Sequence, residues 1–420
     1  MIIDCTQYGG QCTCGRVHDM ETRAAVIEAG CLKKFEEYMT QFGVEGKRCA
    51  LYGENAYAAT EGRHPQAQQE IILHSAGLHA NEISTAEVLA KLDADVGVIV
   101  AVGSGTIHDI ARYCAHDRGI RFVSCPTAAS VDGFCSTVAA MTWYGFKKTL
   151  PAIAPELVIA DIDIIKNAPV ELVRSGVGDI MAKYTALCDW RISRVLTGEH
   201  ICEKIYEIMK QAADTVMDSV PGIARGEDKA FADVTYALIM SGVAMQLMGN
   251  SRPASGGEHH ISHMTEMRPV SFPVAFDSMH GEKTGVGSLL TVHEYRRLAA
   301  IEDIAPYVKP YAPVENAHFE SFFGGEVAEA LIKENENDCL AKVSESKLID
   351  SWAEIRQIVS ELPTEEYLYN LLETIGAKRT MESIGIDEAQ LPALLDNSPL
   401  VRNRLTLMRT RRMIDIADGG

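Results

Sequence analysis

The residues with the clearest capacity for chemistry lie in two short stretches, 255–263 and 280–283, which together hold four histidines. Neutral imidazole is the commonest metal ligand in proteins, and His259 and His263, four residues apart, would share one helix face. One carboxylate, Asp179, follows Gly176 and Gly178 upstream. Two imidazoles and one carboxylate leave positions open on a divalent cation, which is typical of a catalytic metal site. The alternative is a polar helix end with scattered surface histidines.

A second motif follows the β-branched apolar run of residues 95–102. The chain breaks there into Gly103-Ser104-Gly105-Thr106-Ile107-His108-Asp109 and then into a helical pattern. A buried strand, a glycine turn and a helix N-terminus form a cradle for a pyrophosphate. Gly103 and Gly105 would let the backbone approach the phosphates closely. Because position 108 is histidine and no third glycine follows, the motif is only part of a Rossmann fingerprint.

Length and charge limit the classes of function that remain. The chain has 420 residues, more than one ordinary core holds, so we expect two domains. A formal net charge of −19 argues against nucleic acid or an anionic membrane as a partner. No apolar run approaches the roughly 18 residues of a membrane span, and the N-terminus does not resemble a signal peptide. We therefore expect a cytoplasmic protein without membrane insertion.

The eleven cysteines of the chain are expected to be reduced thiols, most of them core residues. Cys5, Cys12, Cys14 and His18 stand apart because they crowd together near the N-terminus. This crowding could indicate zinc, but Cys-x-Cys is unusual spacing for a structural zinc site and no Cys-x-x-Cys pair follows. We favour an ordinary loop over a metal knuckle.

The remaining pattern predicts the elements that position these residues. Strand-like runs alternate with helical stretches, including one at 21–41, in the first part of the chain, which predicts a parallel, doubly wound sheet. These runs cover residues 48–52, 70–73, 96–102, 121–125 and 156–160. Beyond about residue 162 the pattern is helical, notably over 170–185, 200–217, 229–248, 351–359 and 391–395. We predict an α/β nucleotide-binding domain over residues 1–164 and an all-helical bundle, the metal- and substrate-binding domain, over 165–420.

Taken in order, the motifs resemble those of a known family. They are the glycine turn, Pro-Thr-Ala-Ala-Ser-Val-Asp-Gly at 126–133, Gly178-Asp179, Ser-Gly-Gly-Glu-His-x-x-Ser-His at 255–263, and His-Gly-Glu-Lys at 280–283. This series closely resembles the sn-glycerol-1-phosphate dehydrogenases, within the superfamily of dehydroquinate synthases, glycerol dehydrogenases and iron-type alcohol dehydrogenases. The Cys-Thr-Cys-Gly-Arg-Val-His opening at 12–18 resembles the bacterial branch associated with arabinose operons. The resemblance implies a dehydroquinate synthase-like fold.

The resemblance also implies roles for residues. It makes Asp179, His259 and His280 the metal ligands and leaves His260 outside the site. It makes Asp132 a substrate-binding carboxylate and Asp179 a further substrate contact, and we assign His263 to substrate contact or proton relay. We take Asp132, Asp179 and His263 as the catalytic set. The predicted cofactor-binding residues are Asn55, Gly103, Ser104, Gly105, Thr106, Ile107, Asp109, Thr127, Ala128, Ala129, Ser130 and Ser136.

The expected reaction is hydride transfer at C2 between a nicotinamide, NAD or NADP, and a small phosphorylated triose or glycerol. The expected metal is one divalent ion per subunit, zinc or nickel, with iron as a third choice. We expect a homo-oligomer, a dimer or larger. Arg252 and Lys283 are our candidates for the substrate phosphate, since a guanidinium fork suits an oxyanion. That assignment rests on the residue types and not on the resemblance.

Two other enzymes would use related machinery. A glycerol or other polyol dehydrogenase would act on an unphosphorylated substrate, and Arg252 argues against it because a neutral pocket gains nothing from a buried guanidinium. A dehydroquinate synthase-like lyase should carry several basic residues around its motifs, and this chain has few. A non-catalytic metal protein on the same scaffold would be expected to have lost Asp179, His259 or His280.

Overall fold

The protein is described here from a computed structural model covering residues 1–144 and 146–416. The last residues of the predicted helical domain, 417–420, lie outside this description. The described strands are β1 (Ile2–Asp4), β2 (Gly10–Gln11), β3 (Val17–His18), β4 (Ala24–Glu28), β5 (Arg48–Gly53), β6 (Gln69–Leu73), β7 (Val98–Gly103), β8 (Arg121–Pro126), β9 (Val138–Trp143), β10 (Phe146–Pro151) and β11 (Leu157–Asp161).

The α-helices begin after β4, alternate with strands as far as β8, and resume after β11. They are α1 (Phe35–Gln41), α2 (Glu54–Ala59), α3 (Glu82–Lys91), α4 (Gly105–Arg118), α5 (Ile162–Ile165), α6 (Val170–Met181), α7 (Lys183–Thr197), α8 (Glu203–Ala224), α9 (Asp228–Met248), α10 (Gly257–Met267), α11 (His280–Ala299), α12 (Asn316–Phe322), α13 (Gly325–Asn335), α14 (Glu345–Asp350), α15 (Trp352–Ser360), α16 (Glu365–Thr374), α17 (Leu391–Asn397) and α18 (Leu407–Thr410).

The chain divides into two compact units. Unit 1 comprises residues 1–180 and 211–250, and unit 2 comprises residues 181–210 and 251–420. The predicted boundary at 164/165 lies close to the end of the last strand, β11, where secondary structure becomes helical. The compact units are divided elsewhere because α9 packs on β4, on α5 and on the 3-10 helix Asp132–Cys135, all of which belong to unit 1.

Unit 1 is built on one seven-stranded sheet with the order β1-β4-β11-β8-β7-β5-β6. All neighbours are parallel except β1, which runs antiparallel to β4 at the edge. Gly103 at the end of β7 pairs in register with Pro126 at the end of β8. The glycine turn and the segment after Pro126 therefore leave the same edge of the sheet, where ligands bind in open parallel sheets. The predicted parallel α/β domain is confirmed.

Strand β7 lies in the middle of the unit 1 core. All six of its residues are buried. Val98, Val100 and Val102 pack in one apolar cluster, and Ile99 and Ala101 pack in another. This division follows from the two-residue side-chain period of a strand, whose successive residues face opposite sides. A strand covered on both faces reads as a continuous apolar run, as the sequence of residues 96–102 does.

The helix predicted over residues 21–41 is wrong for its first half. Residues 24–28 form strand β4, and helix α1 covers only Phe35–Gln41. Ala25 pairs with Ile3 of β1 and Val158 of β11 on the two sides of β4, and Ile27 pairs with Ala160 of β11. Sheet pairing on both sides outweighs a weak local preference in so short an apolar segment.

Helix α9 is an exception to the expectation that no segment is long and apolar enough to span a membrane. By length and composition alone it passes that test, with a mean hydropathy of 1.3 in its most apolar window. Within the protein, 78% of that window is buried. A helix that is apolar on all sides is expected in the core of a protein as well as in a bilayer, and α9 is a core helix of unit 1.

Unit 2 is helical, as predicted for this part of the chain. One apolar cluster of this unit joins side chains of α10 and α11, such as Ile261 and Val286, to those of α12, α13 and α17, such as Phe319, Leu331 and Leu394. Helices α10 and α11 approach closely because Gly287 has no side chain. A Cβ at Gly287 would lie 2.8 Å from the carbonyl oxygen of Glu258.

Candidate functional site

A cleft of about 530 Å³ lies in unit 1 at the carboxyl ends of its parallel strands. Its walls come from the segments that follow β5, β7 and β8 and from the start of α6 and the segment before it. The lining residues are Gly53, Asn55, Ala56, Ala59, Glu61, Arg63, Ser75, Leu78, Ser104, Thr106, Thr127, Ala128, Asp163, Ile164, Asn167, Ala168, Pro169 and Leu172. The position and the small residues fit a nucleotide whose phosphates face the N-terminus of α4.

Five of the predicted cofactor residues line this cleft: Asn55, Ser104, Thr106, Thr127 and Ala128. Two more shape the turn without lining it. A Cβ at Gly103 would lie 2.8 Å from the side chain of Ile107, and one at Gly105 would lie 3.1 Å from Val131. Packing of the turn therefore requires a glycine at position 103, whereas a side chain at position 105 would have to displace Val131 slightly.

The other predicted cofactor residues do not line this cleft, and their cofactor role stays a prediction. Ile107, Ala129 and Ser130 are buried, and the Ser136 hydroxyl donates to the carbonyl of Val138 at 2.9 Å. Asp109 pairs at 3.6 Å with Arg112, a residue that sequence reasoning missed. The buried Arg112 guanidinium donates to the carbonyls of Ser136 and Phe134, at 2.6 and 3.1 Å, and so fixes the loop that follows Asp132.

Position 108, where the glycine fingerprint is interrupted, holds a structural histidine. The two ring nitrogens of His108 lie 2.9 Å from the carbonyl oxygen of Ser104 and 2.7 Å from the hydroxyl of Ser124. Burial lowers the pKa of His108 to about 3, so the ring is neutral. It ties the first turn of α4 to β8.

Asp132 and Asp179, both predicted as catalytic, lie together in unit 1. The backbone N–H of Asp132 donates to the Asp179 carboxylate at 3.0 Å. The Asp132 carboxylate in turn accepts a hydrogen bond of 2.8 Å from the Ser241 hydroxyl of α9. Asp179 is fully buried, and Asp132 is partly accessible. Such an arrangement presents two fixed carboxylates to a polar ligand.

Close packing of α6 sets the position of Asp179. A Cβ at Gly176 would lie only 2.2 Å from the carbonyl oxygen of Ala129, so the helix touches the loop after β8 backbone to backbone. The hydroxyl of Ser175 donates to the neighbouring carbonyl of Ser130 at 3.1 Å. The loop that carries Asp132 and the helix that carries Asp179 are thus held together.

In unit 2, three predicted histidines form one cluster. His259 and His263 lie on the same face of α10, and His280 is the first residue of α11. Their ring centroids are 5.4 to 6.0 Å apart. The ligand atoms offered by His259 and His280 lie within 4.8 Å of one another.

Each of the two predicted ligand histidines is oriented by a carboxylate that sequence reasoning missed. His259 Nδ1 lies 2.8 Å from Glu258 Oε1, and His280 Nδ1 lies 3.0 Å from Glu266 Oε1. When Nδ1–H donates to a carboxylate, the lone pair is left on Nε2, which is the usual arrangement of a metal-binding histidine. The donor set therefore fits a divalent cation.

Glu258 is held by three hydrogen bonds and is fully buried. Besides His259, it accepts from the N–H of Gly256 at 2.7 Å and from the hydroxyl of Thr185 at 2.6 Å. Burial raises the pKa of the Glu258 carboxyl, but the hydrogen bonds and the charge of His259 outweigh it and lower the pKa below its ordinary value. Glu258 is therefore a carboxylate at neutral pH.

Glu266 connects His280 to Lys283. The Lys283 ammonium lies 3.3 Å from Glu266 Oε1 and 3.1 Å from Asp277. Burial opposes ionisation of Glu266, yet the charges of His280 and Lys283 lower its pKa well below the ordinary value. Lys283, predicted as a phosphate ligand, is buried beside the histidine cluster.

The third histidine of the cluster is neutral. Burial lowers the pKa of His263 well below its ordinary value, an effect to which the nearby His280 and His259 rings add and which Glu266 only partly offsets. A neutral imidazole has a free lone pair that can take up a proton or bind a metal. His260, on the same helix, is buried away from this face, and among the described residues neither of its ring nitrogens has a hydrogen-bond partner.

Arg252, the other predicted phosphate ligand, has structural contacts inside unit 2. Its guanidinium is 2% exposed and donates to the carbonyl oxygens of Asp189 and Leu405 at 3.0 and 2.9 Å. It also pairs with Glu199 at 3.1 Å. These bonds anchor the segment before α10 to α7 and to the chain near residue 405, and the phosphate role of Arg252 stays a prediction.

Comparison with known proteins supports this description of the fold. Residues 26–169 match the model of the iron-containing alcohol dehydrogenase family. A glycerol-1-phosphate dehydrogenase (NAD(P)+) from Geobacillus stearothermophilus is 33% identical over 330 residues, covering 79% of this chain and 74% of the relative.

Solved structures share the fold at low identity. A probable glycerol dehydrogenase from Sinorhizobium meliloti aligns with a TM-score of 0.58 at 17% identity, covering 90% of this chain and 88% of that one. Sulfoacetaldehyde reductase from Bifidobacterium kashiwanohense, solved with NAD+, aligns with a TM-score of 0.60 at 14% identity, covering 96% and 95%. The fold class predicted from the sequence is confirmed, and the chain belongs to the family of NAD(P)+-dependent glycerol-1-phosphate dehydrogenases.

Proposed function

We propose that the protein is an NAD(P)-dependent sn-glycerol-1-phosphate dehydrogenase that interconverts dihydroxyacetone phosphate and sn-glycerol 1-phosphate. The observation that carries this proposal is the 33% identity with a named glycerol-1-phosphate dehydrogenase over 79% of the chain. The contacts of His259 with Glu258 and of His280 with Glu266 support a metal-dependent reaction, as the name of the iron-containing alcohol dehydrogenase family implies.

We further propose that one divalent cation binds Nε2 of His259 and Nε2 of His280, with Asp179 as the third protein ligand. When bound, such a cation polarises the C2 oxygen of the substrate and favours its deprotonated form. Glu258 and Glu266 hold the two rings and their tautomers, so less ordering is needed when the metal binds. Zinc, nickel and iron all suit two imidazoles and a carboxylate.

Proton transfer at C2 is the proposed task of His263. Its neutral ring is oriented on the same helix face as His259, and it would accept the hydroxyl proton in oxidation and return it in reduction. Asp132, fixed through Ser241, would accept a hydrogen bond from a free hydroxyl of the substrate. The residues of the cleft at the strand ends would hold and position NAD(P), which would supply or accept the hydride.

The phosphate of the substrate needs a cation, and we propose Lys283 for it. Its ammonium is buried among Glu266 and Asp277, so it is held close to the histidine cluster. Arg252 would act indirectly by fixing the segment before α10. On the resemblance alone, we propose a cytoplasmic homo-oligomer.

A substrate panel tests the proposal. Metal-free protein would be reloaded with zinc, nickel or ferrous iron and offered dihydroxyacetone phosphate, dihydroxyacetone and glycerol, each with both nicotinamide cofactors. We expect turnover of the phosphorylated ketone and a much lower kcat/KM for dihydroxyacetone. A preference for unphosphorylated ketone or glycerol would instead support a polyol dehydrogenase.

Metal content separates the ligand set from the substrate assignment. His280→Ala and Asp179→Asn should each lose bound metal and turnover. His260→Gln, on the same helix but outside the cluster, is the control and should keep both. Full turnover in the presence of a strong chelator, with no metal by elemental analysis, would refute the metal-dependent reaction.

A further inference from the structure

A second group of metal-binding side chains lies far along the sequence from the histidine cluster, in the hairpin of β2 and β3 near the N-terminus. The hairpin turn is closed by two backbone hydrogen bonds, from Cys12 N–H to Arg16 at 2.9 Å and from Gly15 N–H to Cys12 at 3.0 Å. Gly15 has a φ of +86°, which favours glycine. This turn brings Cys12 and Cys14 to the same end of the hairpin as His18.

The donor atoms of Cys12, Cys14 and His18 lie within 4.8 Å of one another. Cys14 Sγ and His18 Nε2 are 3.4 Å apart. Around tetrahedral zinc, typical Zn–S and Zn–N bond lengths set a sulfur-to-nitrogen separation of about 3.6 Å. The spacing is therefore close to that of two ligands on one ion, although a thiol–imidazole hydrogen bond has a similar length.

The orientation of His18 favours the ion. His18 is buried, and its Nδ1 lies 2.7 Å from the carbonyl oxygen of Leu247 near the end of α9. Since a carbonyl only accepts, Nδ1 carries the proton and the lone pair is on Nε2, which faces Cys14. A ring fixed through Nδ1 by a backbone carbonyl is the usual outer-shell arrangement of a metal-binding histidine.

Other cysteines of unit 1 differ from this pair. Burial raises the pKa of the Cys5, Cys31 and Cys114 thiols to about 12, so these remain protonated core residues. Cys5 was grouped with the hairpin residues from the sequence, but its thiol is fully buried near the carbonyl of Ile3. Cys12 and Cys14 are partly accessible, as ligands that must lose a proton on binding need to be.

We propose that Cys12, Cys14 and His18 bind a zinc ion that has a structural role, separate from the proposed catalytic metal. Two thiolates and an imidazole favour zinc over harder cations such as magnesium. The sequence-based preference for an ordinary loop rested on the spacing of the cysteines alone. The hairpin turn explains how Cys-x-Cys with a histidine four residues later brings three ligands together.

The zinc site would stabilise the packing of the N-terminal segment on α9, and the same part of α9 also contacts the short helix that begins with Asp132. Shortly after His18 in the chain, the N–H of Glu21 donates to Gln246 Oε1 of α9 at 3.1 Å. Gln246 Nε2 donates to the carbonyl oxygen of Cys135 at 2.6 Å. Cys135 belongs to the short 3-10 helix that begins with Asp132. An ion bound to the hairpin would hold the N-terminal segment against α9. Through Gln246 it would also stabilise the position of the 3-10 helix that carries Asp132.

The test uses the full chain carrying His280→Ala, so that the proposed catalytic metal is removed and one class of site remains. Purified under reducing conditions, this protein should retain about one zinc per chain. Adding Cys14→Ser should reduce the zinc content at least tenfold, whereas Cys339→Ser, at another partly accessible cysteine, should leave it unchanged. Equal zinc content in the two cysteine variants would overturn the proposal.

Two readouts on protein with unmodified cysteines cover the case that Cys14→Ser misfolds. Zinc should protect Cys12 and Cys14 from alkylation, mapped by mass spectrometry over all eleven cysteines, and a chelator should remove the protection and lower Tm. Cobalt in place of zinc should give thiolate-to-metal charge-transfer absorption, which a site of histidine and carboxylate cannot give. Rapid alkylation of both thiols in the zinc-loaded protein, or a Cys12–Cys14 disulfide in its place, would refute the site. Because neither readout depends on turnover, this proposal and the dehydrogenase proposal fail independently.

Discussion

The carboxylate of Glu258 offers the sharpest test of how the histidine cluster binds metal. Glu258→Gln keeps the shape of the side chain and an acceptor for the Gly256 N–H, and the Thr185 hydroxyl can rotate to accept from the new amide. What is lost is the negative charge that faces His259 Nδ1 at 2.8 Å. The substitution therefore isolates the electrostatic part of that contact.

The size of the effect follows from the change in hydrogen-bond type. A bond to a charged group contributes about 1.5–3 kcal/mol and a neutral one about 0.5–1.5 kcal/mol. The difference of roughly 1–1.5 kcal/mol corresponds to about a tenfold rise in the Kd for the metal. Loss of an outer-shell partner typically lowers metal affinity by about ten- to a hundredfold, which includes this value.

Metal Kd would be measured by competition with a chelator of known affinity, with Tm recorded on the same samples. Glu266→Gln should behave similarly, since Glu266 faces His280 in the same way. Glu294→Gln is the matched control, because this buried carboxylate of α11 pairs with Arg297 and Arg411 instead. If Glu258→Gln and Glu294→Gln bind metal equally well, the orienting role of Glu258 is refuted.

Three further perturbations test the framework. Gly176→Ala should abolish turnover or lower the free energy of unfolding by more than about 1–3 kcal/mol, because its Cβ would lie 2.2 Å from the carbonyl oxygen of Ala129. Gly133→Ala is the control: its Cβ would meet no atom within 4 Å, so urea unfolding should show little loss of stability. His108→Gln should flatten the pH dependence of the free energy of unfolding. The neutral His108 ring contributes fully to stability above pH 6.5, and this contribution falls toward pH 3 by up to about 1.4 kcal/mol per pH unit. The difference in unfolding free energy between wild type and variant, measured across this pH range, tests the prediction. Arg252→Ala should lower the free energy of unfolding by at least about 1–3 kcal/mol, because it leaves buried carbonyls without a donor. It should also reduce kcat/KM for phosphorylated and unphosphorylated ketones by similar factors. A loss confined to the phosphorylated ketone would instead assign Arg252 to the substrate phosphate.

Much of unit 1 could be predicted because its signals are local. The apolar run before Gly103 indicates a strand buried on both faces, and the glycines after it indicate a tight turn into a helix. The carboxyl ends of parallel strands meet at one edge, so the positions of Ser104 and Thr127 on the same cleft followed from strand type alone. Strand β4 was missed because its identity depends on partners distant in sequence.

The carboxylates that orient the histidines could not be predicted in the same way. Helical spacing places His259 and His263 on one face, but residues adjacent in a helix, such as Glu258 and His259, do not ordinarily face each other. The contact forms because Glu258 lies in the first turn of α10, where the N–H of Gly256 fixes its carboxylate. Local sequence indicates neither the bend of the chain at Gly256 nor the bond that results.

The contact of Glu266 with His280 could not be predicted for a different reason. It faces His280, fourteen residues away on another helix, and the distance between them depends on how closely α10 and α11 pack. That packing requires Gly287, a glycine inside a helix that by local preference is only a weak helix former. The candidate metal ligands could therefore be proposed from the sequence, whereas the groups that give them one tautomer and one orientation depend on helix contacts that only the folded structure shows.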